Sequence, residues 1–175
     1  MTFQIFKPRL SAIIFFLMAS VGMIAQESQM NALINRSLSK LQQPSQEAYL
    51  NCVAELKRID AMFPDSIQPK YQMALQALSF SVTYPHEKMT EGLLAEAEQT
   101  IHLMESMKNA DASDVCTLRG FLYMVRIVQD PAANGQRYYL TVIDNYAKAL
   151  KLNPENQLAK QLQEKFEEGM RRATE

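Results

Sequence analysis

Apolar residues recur every three or four positions along most of this chain, and prolines or short polar runs interrupt the pattern at regular intervals. This spacing is typical of one face of an α-helix rather than of a strand. The five glycines and the many alanine, leucine, glutamine and glutamate residues also favour helix. The pattern therefore predicts an all-α chain. The predicted helical segments are residues 27–42, 46–63, 66–82, 87–107, 114–129, 136–152 and 155–173.

Short connections between these segments predict that successive helices pack as antiparallel neighbours. The predicted helix pairs begin near residues 27, 66, 111 and 155, at spacings of 39, 45 and 44 residues. Self-similarity at such a period is typical of a helical repeat array. The last segment carries one apolar stripe on an otherwise charged helix, which predicts a C-terminal capping helix with a single buried face.

The first 25 residues have the layout of a secretory signal peptide. Lys7 and Arg9 precede an uncharged stretch from Leu10 to Ala25, and polar residues follow it. A membrane-spanning helix is the alternative, but these residues cover roughly 24 Å as a helix, short of a hydrocarbon core of about 30 Å. We expect cleavage after Ala25 or after Gly22. Residues 26–175 then form the mature domain, which we expect in the periplasm or secreted, with no stable membrane insertion.

The charge and cysteine content narrow the partners of the mature domain. Residues 1–25 contain two of the eighteen basic residues and none of the nineteen acidic ones, which leaves a net charge of −3. This balance does not favour binding to nucleic acid or to an anionic membrane. No cysteine lies near the expected cleavage site, so lipid attachment there is not expected. Cys52 and Cys116 are expected to be separate buried thiols, with a disulfide as the alternative.

The segment from Val142 to Asn156 resembles the second helix and closing turn of a tetratricopeptide repeat. In that family a small residue, an aromatic and a second small residue precede the closing proline by twelve, eight and five positions. Here they are Val142, Tyr146, Ala149 and Pro154. Small positions let paired helices approach closely, with the aromatic ring wedged beside them. The resemblance implies a short right-handed solenoid of elongated pairs, since their spacing exceeds the family's period of about 34 residues.

The mature chain is also similar to a group of small exported bacterial proteins of this type. Their penultimate hairpin carries an arginine, a hydrophobic stretch, Asp-Pro, a glycine and a tyrosine, which match residues 126–138 here. Asn134 stands where a basic residue is usual. The resemblance supports the fold and the compartment and implies no established activity.

Arg119, Tyr123 and Arg126 lie at i, i+4 and i+7, so they form one stripe on their helix. In a tetratricopeptide array the first helix of each pair lines the concave surface, and this stripe would suit a peptide carboxylate or an acidic side chain. Lys70 and Gln76 on the preceding first helix are weaker companions. A solvated face is the alternative interpretation of the same stripe.

Residues 130–135 are predicted to be a loop. Arg126 lies one helical turn before Asp130 and can pair with it or with exposed carbonyls at the helix end, while Gly135 can adopt the positive φ that ends a turn. We interpret Asp130, Gly135 and Tyr138 as a structural clamp of an elongated hairpin, with a ligand site as the alternative. Tyr138 and Tyr139 must point in different directions, so at least one of them is expected at the surface.

The sequence offers little that resembles a catalytic or cofactor site. Glu98, His102 and Glu105 lie at helical spacing and could hold a metal, but a solvated charged face explains them as well. No nucleophile elbow or phosphate loop occurs, so we expect no enzyme activity and no cofactor. The function expected is an interaction module that binds an unknown protein or peptide. The alternative is a small-ligand carrier or enzyme with a pocket between helices.

Overall fold

A computed structural model describes residues 26–174, and the predicted signal peptide, residues 1–25, lies outside them. In the described part, all regular secondary structure is helical, which confirms the all-α prediction. Helix α1 covers residues 26–39 and continues into a 3-10 turn, Lys40–Gln42. The other helices are α2 (Gln46–Met62), α3 (Ile67–Thr83), α4 (Thr90–Ser106), α5 (Ala112–Gln129), α6 (Pro131–Leu152) and α7 (Gln157–Thr174).

Side-chain caps fix where several of these helices begin. The Ser45 hydroxyl accepts a hydrogen bond from the Ala48 amide at 3.1 Å at the start of α2. The Asp111 carboxylate accepts one from the Ser113 amide at 2.7 Å at the start of α5. Each bond satisfies an amide that has no partner within its own helix. The predicted segment boundaries therefore agree closely with the observed ones, except at the junction of α5 and α6.

The prediction of a loop over residues 130–135 is wrong, because α6 begins at Pro131. Asp130 alone separates the two helices, and its carboxylate accepts from the Ala133 amide at 2.9 Å. The Asn134 side chain donates to the carbonyl of Arg126 at 2.7 Å and so satisfies the end of α5. Gly135 lies inside α6, and no described glycine has a positive φ.

Helices α3, α5 and α7, the first members of successive pairs, run in the same direction. They begin at Ile67, Ala112 and Gln157, 45 residues apart in each case. Helix α5 contacts both α3 and α7, and α4 and α6 run antiparallel to α5 on its other side. Helix α5 is therefore the central helix, and most of its side chains are buried.

The tightest packing lies between α5 and α6. Tyr146 is fully buried and its ring lies against Gly120, where a Cβ would come within 2.7 Å of the ring. Val142 and Ala149 are also fully buried one turn to either side. The close helix approach expected at these small positions is confirmed.

Buried polar groups hold the ends of the hairpins. Lys70 was predicted to be a surface companion of the arginines, but this is wrong, since its side chain is 4% exposed and its Nζ lies 2.6 Å from Asp60 Oδ1. It also donates to carbonyls of the α2–α3 turn. At the other end of the molecule, Asn156 caps α7 and donates to Ser113 and Asp114 of α5 at 2.9 and 3.1 Å.

The two cysteines are buried and free. Cys52 lies in the cluster of apolar side chains formed by α1 and α2, whereas Cys116 lies with Ala149 and Ala159. Burial raises the pKa of both thiols above the usual value. They are therefore packing residues, as expected.

Candidate functional site

The predicted stripe of α5 lies in a shallow groove between α4 and α6. Arg119 and Tyr123 line this groove of about 410 Å³ together with Glu98 and His102 of α4 and Asn145 of α6. Arg126 lies on the same side of α5, one turn beyond Tyr123. The structure thus places the three residues on one face, as their spacing predicts. Each of them, however, has a partner within the chain.

Arg119 forms an ion pair with Glu105 at the end of α4. The other carboxylate oxygen of Glu105 lies 3.3 Å from Nδ1 of His102. Glu105 is therefore shared between a guanidinium and an imidazole, which is the arrangement of a surface ion-pair network. In the part of the chain that the structure describes, no three histidine, cysteine or acidic side chains are grouped to hold a metal ion.

Arg126 pairs with Glu91 at the start of α4 and not with Asp130, which was one of its two expected partners. Its guanidinium donates to both carboxylate oxygens at 2.7 and 2.8 Å, and Gln129 donates to the same carboxylate at 3.0 Å. The Arg126 and Gln129 bonds hold the pKa of Glu91 below its usual value. The sequence could not identify this partner, because Glu91 lies 35 residues away along the chain. Arg126 therefore joins α5 to α4.

Tyr123 packs against Tyr138 of α6, with the ring centroids 4.9 Å apart. The Arg137 guanidinium lies over the Tyr138 ring at 4.9 Å from its centroid. Tyr138, predicted to belong to a loop clamp, is a helical residue that connects α6 to α5. Tyr139 faces elsewhere and is partly exposed beside Phe166 of α7, because adjacent residues of a helix point in directions about 100° apart.

This stripe lies on the side of α5 that faces the second helices, α4 and α6. The expectation that it lines the surface of the first helices is therefore wrong. Helix α5 is buried over most of its circumference, and its periodicity alone does not show which exposed strip faces which neighbour. The first helices α3, α5 and α7 form a separate surface.

An apolar groove of about 460 Å³ lies on the surface of the first helices, between the C-terminal parts of α3 and α5 and the second half of α7. Among the residues that line the groove, Lys165 has the polar side chain. This side chain forms no ion pair within residues 26–174. The groove is open to solvent along one side. The other lining residues are Val82, Phe121, Met124, Ile127, Val128, Pro131, Leu162, Phe166, Gly169 and Met170.

A second cavity, of about 570 Å³, lies at the opposite end of α3 and α5. It is lined by the beginnings of α1, α3 and α5 and by the turns before α3 and α5. Apolar side chains of Met30, Phe63 and Ile67 form part of its wall. Its carboxylates form no ion pair with any described basic side chain. They belong to Glu27, Asp65, Asp111 and Asp114.

Burial is the main cause of the pKa shifts beside this acidic cavity, and the neighbouring carboxylates add to it. Burial and the neighbouring Asp111 carboxylate raise the pKa of Asp114 above its usual value. Burial, together with Asp114 and Asp111, raises the pKa of Tyr71 to about 12. Both shifts have the direction expected for buried groups that lie close to carboxylates. Sequence reasoning missed this cavity because its carboxylates come from three separate segments: α1, the turn before α3, and the start of α5.

No protein-family model, curated protein or solved structure matches this chain. Among residues 26–174, no helix has both the length and the apolar character needed to cross a membrane. The geometry of the described surfaces is therefore the basis for a functional proposal.

Proposed function

We propose that this chain is an exported helical-repeat protein that binds an apolar segment of a partner polypeptide on the surface of α3, α5 and α7. The observation that carries the proposal is the apolar groove between these helices. An apolar groove that reaches the surface is typical of a protein interaction site. The proposal assigns the chain no catalytic step and no cofactor.

The arrangement of the helices supports a tetratricopeptide-like array. The first helices α3, α5 and α7 begin at a spacing of 45 residues, and α5 contacts both of the others. In the described residues, the second helices α2, α4 and α6 do not pack against one another as closely as the first helices do. First helices that pack closely while second helices spread apart produce a surface that curves towards the first helices.

The shape and chemistry of the groove favour a polypeptide over a small enclosed ligand. Small-molecule sites usually bury most of the ligand in a concave pocket with several convergent polar groups. The groove instead combines an open side with aliphatic and aromatic walls. Burying apolar surface there contributes about 25 cal/mol per Å². One or two apolar side chains of a partner segment would gain this free energy by docking in the groove.

Site-specific photocrosslinking tests this proposal. A photoreactive phenylalanine analogue replaces Val128 in the groove or, as a control, Leu103 on α4, which are 39% and 49% exposed. Irradiation of cells that produce the full chain should give a discrete polypeptide adduct from position 128 and none from position 103. Equal adducts from both positions, or none from position 128, would contradict the proposal.

Export is tested separately. Mass spectrometry of the protein recovered from the cell envelope or the medium should find an N-terminus between Met23 and Glu27, because the uncharged segment before it is short for a membrane span. Recovery of the chain with Met1 in a membrane fraction would show instead that it is anchored.

A further inference from the structure

The apolar groove and the acidic cavity lie on one continuous face of the molecule. On α5, Asp114 lines the cavity, whereas Phe121 and Val128 line the groove, and these positions are seven residues apart. A spacing of seven residues returns to the same side of a helix. On α3, Ile67 lines the cavity and Val82 lines the groove. Both helices therefore extend from the acidic end to the apolar end.

The interval between the two ends suits a short peptide. The rise between Asp114 and Val128 is roughly 21 Å at 1.5 Å per residue, which about six residues of extended chain would span. Tyr71 and Leu75 lie between the ends on α3, one and two turns after Ile67, and both are partly buried. Apolar side chains therefore line this face between its two ends as well.

Opposite charges mark the two ends of this face. The carboxylates at the cavity have no ion-pair partner among the described residues, whereas Lys165 borders the apolar groove. A basic group on a ligand is attracted to the first end and repelled from the second. Charge complementarity therefore favours a ligand with basic residues on one side of its apolar stretch.

We propose that the polypeptide bound by this face has basic residues followed or preceded, a few positions away, by large apolar residues. The apolar residues occupy the groove, and the basic residues lie over the cavity lined by Glu27 and Asp65. This inference rests on the proposed function, since it names the chemistry of the partner that the groove binds. It adds that the carboxylates of the acidic cavity favour those apolar segments that have basic residues nearby.

Synthetic peptides test the charge preference. The first probe is a fluorescent, end-blocked peptide of two lysines, two serines and the apolar sequence Ala-Leu-Phe-Leu. The second replaces both lysines by glutamates, and the third replaces the apolar residues by serines. Fluorescence anisotropy with the full chain should show the tightest binding for the lysine probe. Salt at about 1 M should remove its advantage over the glutamate probe, because the Debye length is then about 3 Å.

Two pairs of variants separate charge from apolar contact. Glu27→Gln with Asp65→Asn should weaken the lysine probe roughly three- to tenfold, as expected for two exposed charge interactions. The control, Glu87→Gln with Asp144→Asn, removes the same charge from exposed positions that do not line the cavity and should leave affinity unchanged. Val128→Glu in the groove should weaken every apolar probe, and the control Leu103→Glu should weaken none.

The results distinguish the two proposals. Equal affinity of the lysine and glutamate probes, with Val128→Glu weakening both, would overturn the charge preference and leave the apolar site intact. Apolar probes that bind Val128→Glu as tightly as the unchanged chain would overturn the groove itself. If no probe binds below about 1 mM, the charge preference is wrong, and photocrosslinking at position 128 decides the proposed function.

Discussion

Gly120 is the residue at which α5 and α6 approach most closely. Its Cα faces the fully buried ring of Tyr146, and a Cβ would lie 2.7 Å from that ring. Gly120→Ala should therefore lower the free energy of unfolding, because overpacking costs about 1–3 kcal/mol and outweighs a helix-propensity gain of up to about 1 kcal/mol. Urea denaturation measures the change.

Gly135→Ala is the matched control for this substitution. Gly135 is helical, and a Cβ added there meets nothing within 4 Å. The variant should be stabilised by about 0.4–1 kcal/mol. A marked loss of stability would show that Gly135 has the positive φ that its sequence context predicts. An unchanged free energy of unfolding in Gly120→Ala would contradict the close approach of Gly120 to Tyr146.

The ion pair of Glu91 and Arg126 should make a small, pH-dependent contribution to stability. Because the folded state lowers the pKa of Glu91 from 4.5, the contribution is present above that value and is lost as the pH falls through the lower folded-state pKa. The Glu91 side chain is 67% exposed, so solvent screening limits the effect to less than about 1 kcal/mol.

Thermal unfolding of Glu91→Gln tests this contribution. The variant should melt slightly below the unchanged chain at pH 7, and the difference between the two melting temperatures should shrink as the pH falls below 4.5 and through the folded-state pKa of Glu91. A difference that does not change with pH would show that Glu91 stabilises the fold by packing and not through its charge.

At the scale of helices, local chemistry predicted most boundaries and failed at one. Serine and aspartate caps and prolines marked the beginnings of α2 and α5 correctly. Asp130-Pro131 was interpreted as a turn, although an aspartate cap followed by proline is also a strong helix start. The deciding group is the Asn134 side chain, which caps α5 from within α6. Sequence periodicity does not show such a tertiary contact.

Helix α7 depends on Asn156 for its docking. The Asn156 side chain is buried, caps α7 through the Ala159 amide and donates to Ser113 of α5. Asn156→Ala should cost about 1–3 kcal/mol, because it removes a cap and leaves buried polar groups without a partner. Amide hydrogen exchange should accelerate mainly in α7.

The location of that exchange distinguishes local loosening from global unfolding. Helix α7 packs on α5 and α6, whereas α2 packs on α3 and on the 3-10 turn before it, so the amides of α2 should keep their protection in Asn156→Ala. Gln161→Ala, at an exposed position of α7, is the control and should change neither helix. Equal acceleration in α2 and α7 would contradict the neighbour-only packing.

At the scale of the whole molecule, the candidate site was only partly predictable. Arg119, Tyr123 and Arg126 do share a face, since helical spacing alone determines that relation. Their partners Glu105 and Glu91 lie on another helix, and the face they share is opposite to the first-helix surface. The apolar groove and the acidic cavity each combine side chains from three helices, so no single segment of the sequence identifies them.

Methionine methyl NMR spectroscopy tests the location of the binding surface most directly. Met124 and Met170 line the apolar groove and Met30 lines the acidic cavity, whereas Met62 and Met89 are exposed elsewhere. The chain is labelled at its methionine methyl groups, the signals are assigned through single Met→Leu variants, and the lysine probe is added. The signals of Met124, Met170 and Met30 should shift together while those of Met62 and Met89 stay fixed. Shifts confined to Met62 or Met89 would contradict binding on the surface of α3, α5 and α7.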